Sequence, residues 1–268
     1  MRLEMDSRPE APAIVRAALA GVAQLLEFDP ELFDDLKTAI SEACNNVVLY
    51  AYDGKPGPLV AGLEIGPDEI VATIRDWGGG IQQVGPSDER MGVGLAVISA
   101  LADRAEFIRA PDGGTEVRMA FSSRRGVGTP LERPPDADPA DDAPVELSGD
   151  VVVTVWPVGL LAGVLGRVSR AVAARTHLSL DRFSDLYLVT DAIAAAAESA
   201  ASADGITFAL AAGHKRLELS VGPFRAGHGG RLLQDGLPQV VAEFTLEPSG
   251  GAEVVRLVVE ERRDSPAR

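Results

Sequence analysis

The sequence has 268 residues, enough for two ordinary domains that each bury a core of their own. Its formal net charge of −15 argues against binding to a phosphate backbone, which needs clustered lysine and arginine, so no direct nucleic-acid partner is expected. The single cysteine, Cys44, excludes an internal disulfide, and without a membrane-length apolar run or a signal-peptide core the prediction is a cytoplasmic protein with no membrane partner.

Apolar periodicity and turn residues predict the elements of the first half in chain order. They are a strand at 2–5, a helix at 11–28, a helix from 30 to about 52, strands at 59–65 and 69–76, a helix at 94–102, and strands at 105–110 and 116–121. Asp29 is a suitable N-cap for the second helix, and Pro30 suits its first position. Asp53-Gly54 is expected to end it.

The segment 123–149 differs from its surroundings because proline and aspartate accumulate there while apolar residues become rare, which predicts an extended linker. Beyond it the first plan returns as a strand at 151–155, helices at 157–176 and 180–202, and strands at 206–211 and 216–221. Ala105-Glu106-Phe107 and Gly113–Val117 recur in similar form, at one offset, as Ala242-Glu243-Phe244 and Gly250–Val254. This repetition predicts a tandem duplication, with domains at 1–122 and 150–262 and a disordered tail at 263–268.

Three short motifs in the first half carry candidate chemistry. Glu42 and Asn46 are four residues apart on a predicted helix and therefore share one face. An amide oxygen can ligate Mg²⁺, and a carboxylate can accept a proton from an attacking hydroxyl or water. Taken alone, such a pair is more often two ordinary polar residues on a solvated face.

The second motif is Asp76, which ends a predicted strand and is followed by Trp77-Gly78-Gly79-Gly80. A carboxylate there can bind an exocyclic amine while the glycine backbone approaches the ligand closely, although a capping aspartate in a tight turn would have the same sequence. The third motif, Gly92-Val93-Gly94, precedes a predicted helix whose unpaired N–H groups could bind phosphates. A lone pair of glycines is weak support for this.

Together, in this order, the motifs resemble those of the GHKL ATPase superfamily. Ser41-Glu42-Ala43, Asn46 and Ala51-Tyr52 further resemble the bacterial anti-sigma-factor serine kinases, over about residues 1 to 122. The resemblance implies an α/β two-layer sandwich of the Bergerat type, with a mixed, mostly antiparallel sheet covered by helices on one face. The internal repeat adds two tandem copies of that fold.

The resemblance also implies a role for each matching residue, with ATP and Mg²⁺ as the bound groups. Asn46 would hold Mg²⁺ and Glu42 would act as general base, while Asp76 would bond the adenine amine. Gly78 and Gly80 would shape the turn after Asp76, and Thr115 would support the adenine. Gly92 and Gly94 would flank the phosphates at the end of a lid spanning 81–91. Trp77 is expected either to stack on a base or to cover the sheet.

The second half lacks the corresponding side chains. Depending on one gap in the alignment of the two halves, Glu42 corresponds to Ala192 or Asp191, and Asn46 corresponds to Ala195 or Ala196. Asp76 corresponds to Val221. All of these replacements except Asp191 are apolar. This predicts a degenerate domain that does not bind ATP and serves for packing or for holding a partner. The chain is then expected as a monomer with pseudo-dimeric domains or as a homodimer.

The function implied is that of an ATP-binding anti-sigma regulator of transcription with serine/threonine protein kinase activity. It would transfer the γ-phosphoryl group to a serine of an anti-anti-sigma partner and would also bind a sigma factor. The alternative is a non-catalytic, nucleotide-dependent regulator that binds a sigma factor or another protein. A sensor histidine kinase is disfavoured because the sequence shows neither a phosphoacceptor helix pair nor a membrane segment.

Overall fold

The structure is a computed structural model that describes residues 1–79, 89–123, 145–230 and 240–261, with backbone alone for residues 89–92. The chain divides into two compact units, Met1–Ala137 and Asp138–Arg268. Most of the predicted linker (124–144) and the predicted tail (263–268) lie outside the described residues. Within the described part of the chain, none of the helices combines the length and apolar character that crossing a lipid bilayer requires.

The first unit alternates strands and helices in nearly the predicted order. Its described elements are β1 (Arg2–Asp6), α1 (Ala11–Leu25), α2 (Pro30–Asn46), a π-helical turn (Val47–Ala51), β2 (Pro58–Ile65), β3 (Glu69–Asp76), α3 (Glu89–Leu101), β4 (Arg104–Arg109) and β5 (Thr115–Ser122). The strands are ordered β4-β5-β3-β2-β1, and each described pair of neighbours is antiparallel. The predicted α/β class with a mostly antiparallel sheet is confirmed for this unit.

Helix α2 is the central helix of the first unit, because α1 and α3 both pack against it and it contacts β3 and β5. The Asp29 side chain caps its first turn by accepting a hydrogen bond from the Glu31 N–H at 2.9 Å, and Pro30 occupies the first turn. Its inner face is apolar and fully buried, with Leu36 and Cys44 among the residues on it. The helix continues past Asn46 into the π-helical turn, and Asp53 and Gly54 then adopt positive φ angles that end it.

Helix α3 begins earlier than predicted. The sequence predicted a helix from 94 to 102, with Gly92 before it, whereas α3 runs from Glu89 to Leu101 and contains both Gly92 and Gly94. The last three residues of the predicted lid, 89–91, are therefore helical, and 81–88 lie outside the described residues. Each glycine inside a helix costs about 1 kcal/mol relative to alanine, and the packing of α3 on α2 offsets that cost.

The second unit resembles the first in having one strand, two helices and four further strands, while the segment 231–239, between its third and fourth strands, lies outside the described residues. It comprises β6 (Val151–Val155), a 3₁₀ turn (Val158–Leu160), α4 (Leu161–Ala173), α5 (Leu180–Ala200), β7 (Ile206–Gly213), β8 (Arg216–Arg225), β9 (Glu243–Ser249) and β10 (Ala252–Glu260). Its strands are ordered β6-β7-β8-β10-β9, and the described neighbours are antiparallel. Strand β8 continues to Arg225, beyond the predicted end at Val221, because β10 pairs with it as far as Ala252↔Arg225.

Candidate functional site

Glu42 and Asn46 lie one turn apart on α2, at the border of the core. Their neighbours Ala43 and Cys44 are fully buried, whereas Glu42 and Asn46 are half-buried. Positions four apart share one face of a helix, so the carboxylate and the amide emerge on the same side. Burial raises the pKa of the Cys44 thiol to about 12, so this neighbour is an unreactive part of the core.

Helix α3 meets this face of α2 at Gly94. A Cβ atom built on Gly94 would lie 3.3 Å from Glu42 Oε2, 3.3 Å from Asn46 Oδ1 and 3.4 Å from Asn46 Nδ2. Both polar side chains therefore end against the backbone of α3, and a side chain larger than that of glycine would crowd them. The structure brings Glu42, Asn46 and Gly94 into one group, which we call the polar cluster.

The amide of Asn46 has unused hydrogen-bonding capacity. Its Nδ2 atom is buried and has no hydrogen-bond partner among the described residues. Such groups are rare because an unpaired buried donor costs about 1–3 kcal/mol, so this one is suited to donate to an acceptor atom of a ligand, such as a phosphate oxygen. The amide oxygen of the same side chain is a separate group. Mg²⁺ prefers oxygen ligands and is bound through few side chains together with substrate phosphates. An amide and a carboxylate side by side fit that requirement.

Asp76 forms a second group at the end of β3. It is 4% exposed, and its Oδ1 accepts a hydrogen bond from the Gly78 N–H at 2.8 Å. The backbone N–H of Thr115, at the start of β5, also donates to the carboxylate. Burial raises the pKa of Asp76 above its ordinary value, while the two N–H donors and the Arg75 guanidinium oppose that rise. The carboxylate keeps acceptor sites beyond the two that the backbone uses.

Two glycines allow three segments of backbone to meet around Asp76. A Cβ atom on Gly78 would lie 1.9 Å from the Ala51 carbonyl oxygen, and one on Gly114 would lie 2.0 Å from the Asp76 carbonyl oxygen. The Gly79 N–H donates to the Ala51 oxygen at 2.9 Å. No side chain fits at either glycine without moving backbone, so the turn after β3 is tied to the end of the π-helical turn and to the β4–β5 hairpin.

Tyr52 reinforces this junction, a role that the sequence did not suggest. Its hydroxyl accepts a hydrogen bond from the Trp77 N–H at 2.8 Å and donates to the Pro58 carbonyl oxygen at 2.5 Å. The pKa of Tyr52 is raised, chiefly by burial. The segment that follows the π-helical turn is thereby attached to the loop that follows Asp76.

Trp77 lies against Arg75 of β3 and Asp112 of the β4–β5 turn. The Arg75 guanidinium is 4.8 Å from the centre of its ring, and its Nε1–H donates to Asp112 Oδ2 at 3.2 Å. Arg75 also binds Asp112 Oδ1 at 2.5 Å, and this hydrogen bond lowers the pKa of Asp112. Trp77 thus covers Arg75 and the tip of the β4–β5 hairpin.

The predicted site residues therefore fall into two groups. Glu42, Asn46 and Gly94 form the polar cluster. Asp76, Gly78 and Thr115 form the group at the end of β3. Gly92 lies in α3, and Gly80 is outside the described residues. The π-helical turn Val47–Ala51 connects the groups along the chain, since it follows Asn46 and its last carbonyl binds Gly79. Sequence reasoning missed Gly114 and Ala51, whose only signals were a glycine pair and a helix end.

Comparison with known proteins gives consistent matches over this unit. Residues 5–121 match the family model described as histidine kinase-like ATPase domain. The anti-sigma F factor of Oceanobacillus iheyensis is 33% identical over 130 residues, which cover 44% of this chain and 89% of that protein. The anti-sigma F factor of Caldanaerobacter subterraneus subsp. tengcongensis is 31% identical over 129 residues, covering 44% and 90%.

A third relative carries a different name. The serine-protein kinase RsbW of Bacillus pumilus is 29% identical over 144 residues, which cover 47% of this chain and 88% of that protein. The resemblance predicted from the three motifs is therefore confirmed. Through its first unit, this chain belongs to the histidine kinase-like ATPase family, with anti-sigma F factors and serine-protein kinase RsbW among its homologues.

Proposed function

We propose that this chain is an ATP-binding anti-sigma regulator whose first unit transfers the γ-phosphoryl group of ATP to a serine of an anti-anti-sigma protein. A sigma factor is its second protein partner, and Mg²⁺ is its cofactor. Relatives named anti-sigma F factor and serine-protein kinase support this class of function. The observation that carries the proposal is the polar cluster, in which the Glu42 carboxylate and the Asn46 amide, whose Nδ2 atom is buried and unpaired, meet at the backbone of Gly94.

Each residue of the polar cluster has a distinct role in this proposal. Asn46 binds the metal through its amide oxygen, and Glu42 accepts the proton of the substrate serine hydroxyl. Mg²⁺, when bound, neutralises charge on the phosphates, which is the main requirement of phosphoryl transfer. Glu42 Oε2 and Asn46 Oδ1 lie at equal distance from one point above Gly94, so the proton acceptor and the metal ligand serve the same small volume. Gly92 and Gly94 leave room for the phosphates.

The group around Asp76 is proposed as the adenine end of the site. Its carboxylate accepts a hydrogen bond from the exocyclic amine, and Gly78, Gly80 and Thr115 shape the turn that surrounds the base. Hydrogen bonds from the Gly78 and Thr115 N–H groups hold the carboxylate in place before any ligand binds. A preformed acceptor limits the loss of side-chain entropy on binding and so favours affinity.

The second unit is proposed to be a degenerate copy that binds no nucleotide. The buried residues of α5 follow those of α2 at one constant offset, so Arg182 corresponds to Leu32 and Ala194 to Cys44. In this register Ala192 replaces Glu42 and Ala196 replaces Asn46.

The glycine loop of the second unit is also occupied by its own chain. The Glu253 carboxylate accepts hydrogen bonds from the N–H groups of Gly227 at 2.8 Å and Gly229 at 3.2 Å. These donors follow β8, as the loop after Asp76 follows β3, and Glu253 places a negative charge on them. The backbone donors of this loop are therefore already used within the chain, which supports the proposal that the second unit does not bind ATP.

Replacement of the proposed base separates catalysis from binding. We expect Glu42→Ala to keep Mg-ATP affinity but to slow phosphate transfer to a candidate anti-anti-sigma protein by roughly 10²–10⁴-fold, the usual contribution of a general base. Transfer from γ-labelled ATP measures the rate, and Glu31→Ala, an exposed carboxylate on the same helix, is the control. Normal transfer by Glu42→Ala would exclude Glu42 as the base, and intact nucleotide binding without transfer in the wild type would favour the non-catalytic regulator.

A single methyl group at Gly94 tests the polar cluster. We expect Gly94→Ala to fold as stably as the wild type, because alanine suits a helix better than glycine. Its methyl carbon would contact Glu42 and Asn46 at about 3.3 Å and displace them, so transfer should slow by roughly 10²-fold, as misplacement of reacting groups does. Thermal melting and the transfer assay measure the two effects. The control Val93→Ala changes an exposed neighbour; unchanged transfer in Gly94→Ala would contradict the proposed site.

The raised pKa of Asp76 predicts a pH-dependent preference for adenine. The ionised carboxylate accepts a hydrogen bond from the amine and the protonated form does so poorly, so selectivity should fall as pH falls through a pKa above the ordinary aspartate value. The measured quantity is the ratio of Kd values for purine riboside triphosphate, which lacks the amine, and ATP. Protonation of the shared triphosphate cancels in this ratio. Asp76→Asn should weaken ATP binding and flatten the profile; a pH-independent ratio in the wild type would remove Asp76 from the adenine site.

The proposed degeneracy of the second unit predicts a single nucleotide site. Calorimetric titration of the full chain with Mg-ATP should give one binding event per chain, which Asn46→Ala should remove. Ala196→Ser, at the corresponding position of the second unit, should leave affinity unchanged. A second binding event, or binding that persists in Asn46→Ala, would show that the other unit binds nucleotide.

A further inference from the structure

The first N–H group of the turn after Asp76 is bonded to a side chain rather than to the neighbouring strand. The Trp77 N–H donates to the Tyr52 hydroxyl at 2.8 Å, and this hydroxyl donates to the Pro58 carbonyl oxygen at 2.5 Å. Leu59 and Asp76 are partners in the β2–β3 ladder, so Pro58 and Trp77 are the next two residues beyond that pair. The Tyr52 hydroxyl therefore lies between the two strands at the point where their pairing ends.

This inserted hydroxyl holds the two strand ends apart. A direct hydrogen bond would place the Trp77 nitrogen about 2.9 Å from the Pro58 oxygen, whereas a hydroxyl that bonds to both sets them roughly 4–5 Å apart. The turn that follows β3 consequently begins at a position that the phenol of Tyr52 determines.

The position of this turn matters because the turn orients the Asp76 carboxylate. The Gly78 N–H donates to Asp76 Oδ1 at 2.8 Å. The next N–H, that of Gly79, donates to the carbonyl oxygen of Ala51, the residue before Tyr52. Tyr52 thus fixes the start of the turn and Ala51 fixes its end, and the N–H group that holds the carboxylate lies between these two points.

We propose that Tyr52 is a positioning residue for base recognition: its hydroxyl holds the turn so that the Asp76 carboxylate faces the exocyclic amine of the bound nucleotide. This inference rests on the proposed function, and Tyr52 acts through Asp76 rather than on the ligand. A hydrogen bond weakens steeply when its geometry is poor. The hydroxyl of Tyr52 therefore determines how well the site distinguishes a base that carries an amine from one that does not.

The ring and the hydroxyl of Tyr52 have separable roles. The ring packs on Gly57, where an added Cβ atom would lie 2.5 Å from two ring carbons, so close backbone packing fixes the ring. Burial raises the pKa of Tyr52, which keeps the hydroxyl protonated, and a neutral phenol can accept from Trp77 and donate to Pro58 at the same time. The substitution Tyr52→Phe keeps the ring and removes only the hydroxyl that connects the two strand ends.

The ratio of the Kd values of the full chain for purine riboside triphosphate, which lacks the amine, and for ATP tests the proposal. In Tyr52→Phe we expect ATP to bind roughly 3–10-fold more weakly, the usual value of one hydrogen bond, while purine riboside triphosphate binds as in the wild type. The ratio should then fall by the same factor. A merely structural role would weaken binding of both nucleotides alike and would leave the ratio unchanged.

Tyr187→Phe is the matched control, because it removes the same hydroxyl from an exposed ring of the second unit. It should leave both Kd values unchanged. One hydrogen bond is a small part of the stability of a domain, so Tyr52→Phe should fold, and thermal melting checks this.

The possible results separate this inference from the proposed function. A wild type that binds no ATP, or that binds both nucleotides equally, would contradict base recognition by Asp76 and this inference with it. A wild type that prefers ATP, together with a Tyr52→Phe chain that prefers it to the same degree, would overturn the role of the hydroxyl alone and leave the proposed site intact.

Discussion

The inner face of α2 determines where the candidate chemistry lies. Leu36 and Cys44 are fully buried in the core, and a helix with one buried face has no freedom to rotate about its axis. Glu42 and Asn46 are therefore held at the core border with fixed direction, where α3 meets them at Gly94. The packing on either side of Asn46 offsets the free-energy cost of leaving its Nδ2 atom without a hydrogen bond. The buried apolar residues of α2 therefore fix the positions of its polar groups, although these apolar residues lie on the opposite side of the helix from the proposed site.

A second constraint acts on the backbone. The turn after Asp76 packs so closely on Ala51 and on the β4–β5 hairpin that Gly78 and Gly114 cannot carry side chains. This close contact connects the end of the helix that carries Asn46 to the strand end that carries Asp76. In the proposed site, the metal end and the adenine end are consequently two parts of one rigid junction, and their separation is set by main-chain hydrogen bonds rather than by a ligand.

Most of this architecture could be predicted from local sequence, and the failures have identifiable causes. The strand Glu69–Asp76 and the Asp29-Pro30 helix start follow from period-two alternation and capping, both of which are local. The start of α3 was missed because its glycines disfavour a helix and packing on α2 overrides them. The contact of Arg75 and Trp77 with Asp112 joins residues far apart in the chain, so no local pattern reveals it. Placement of Gly94 against Glu42 and Asn46 is likewise a tertiary fact, although each motif could be found alone.

Gly94 also bears on how folding and function constrain one position. Alanine suits a helix better than glycine, so we expect a mutation to alanine there to leave the domain folded. Its methyl group would nevertheless stand between α3 and the two polar side chains of α2. In the proposed site, a single alanine at Gly94 would therefore impair phosphate transfer in a domain that still folds, so folding and function place different demands on this position.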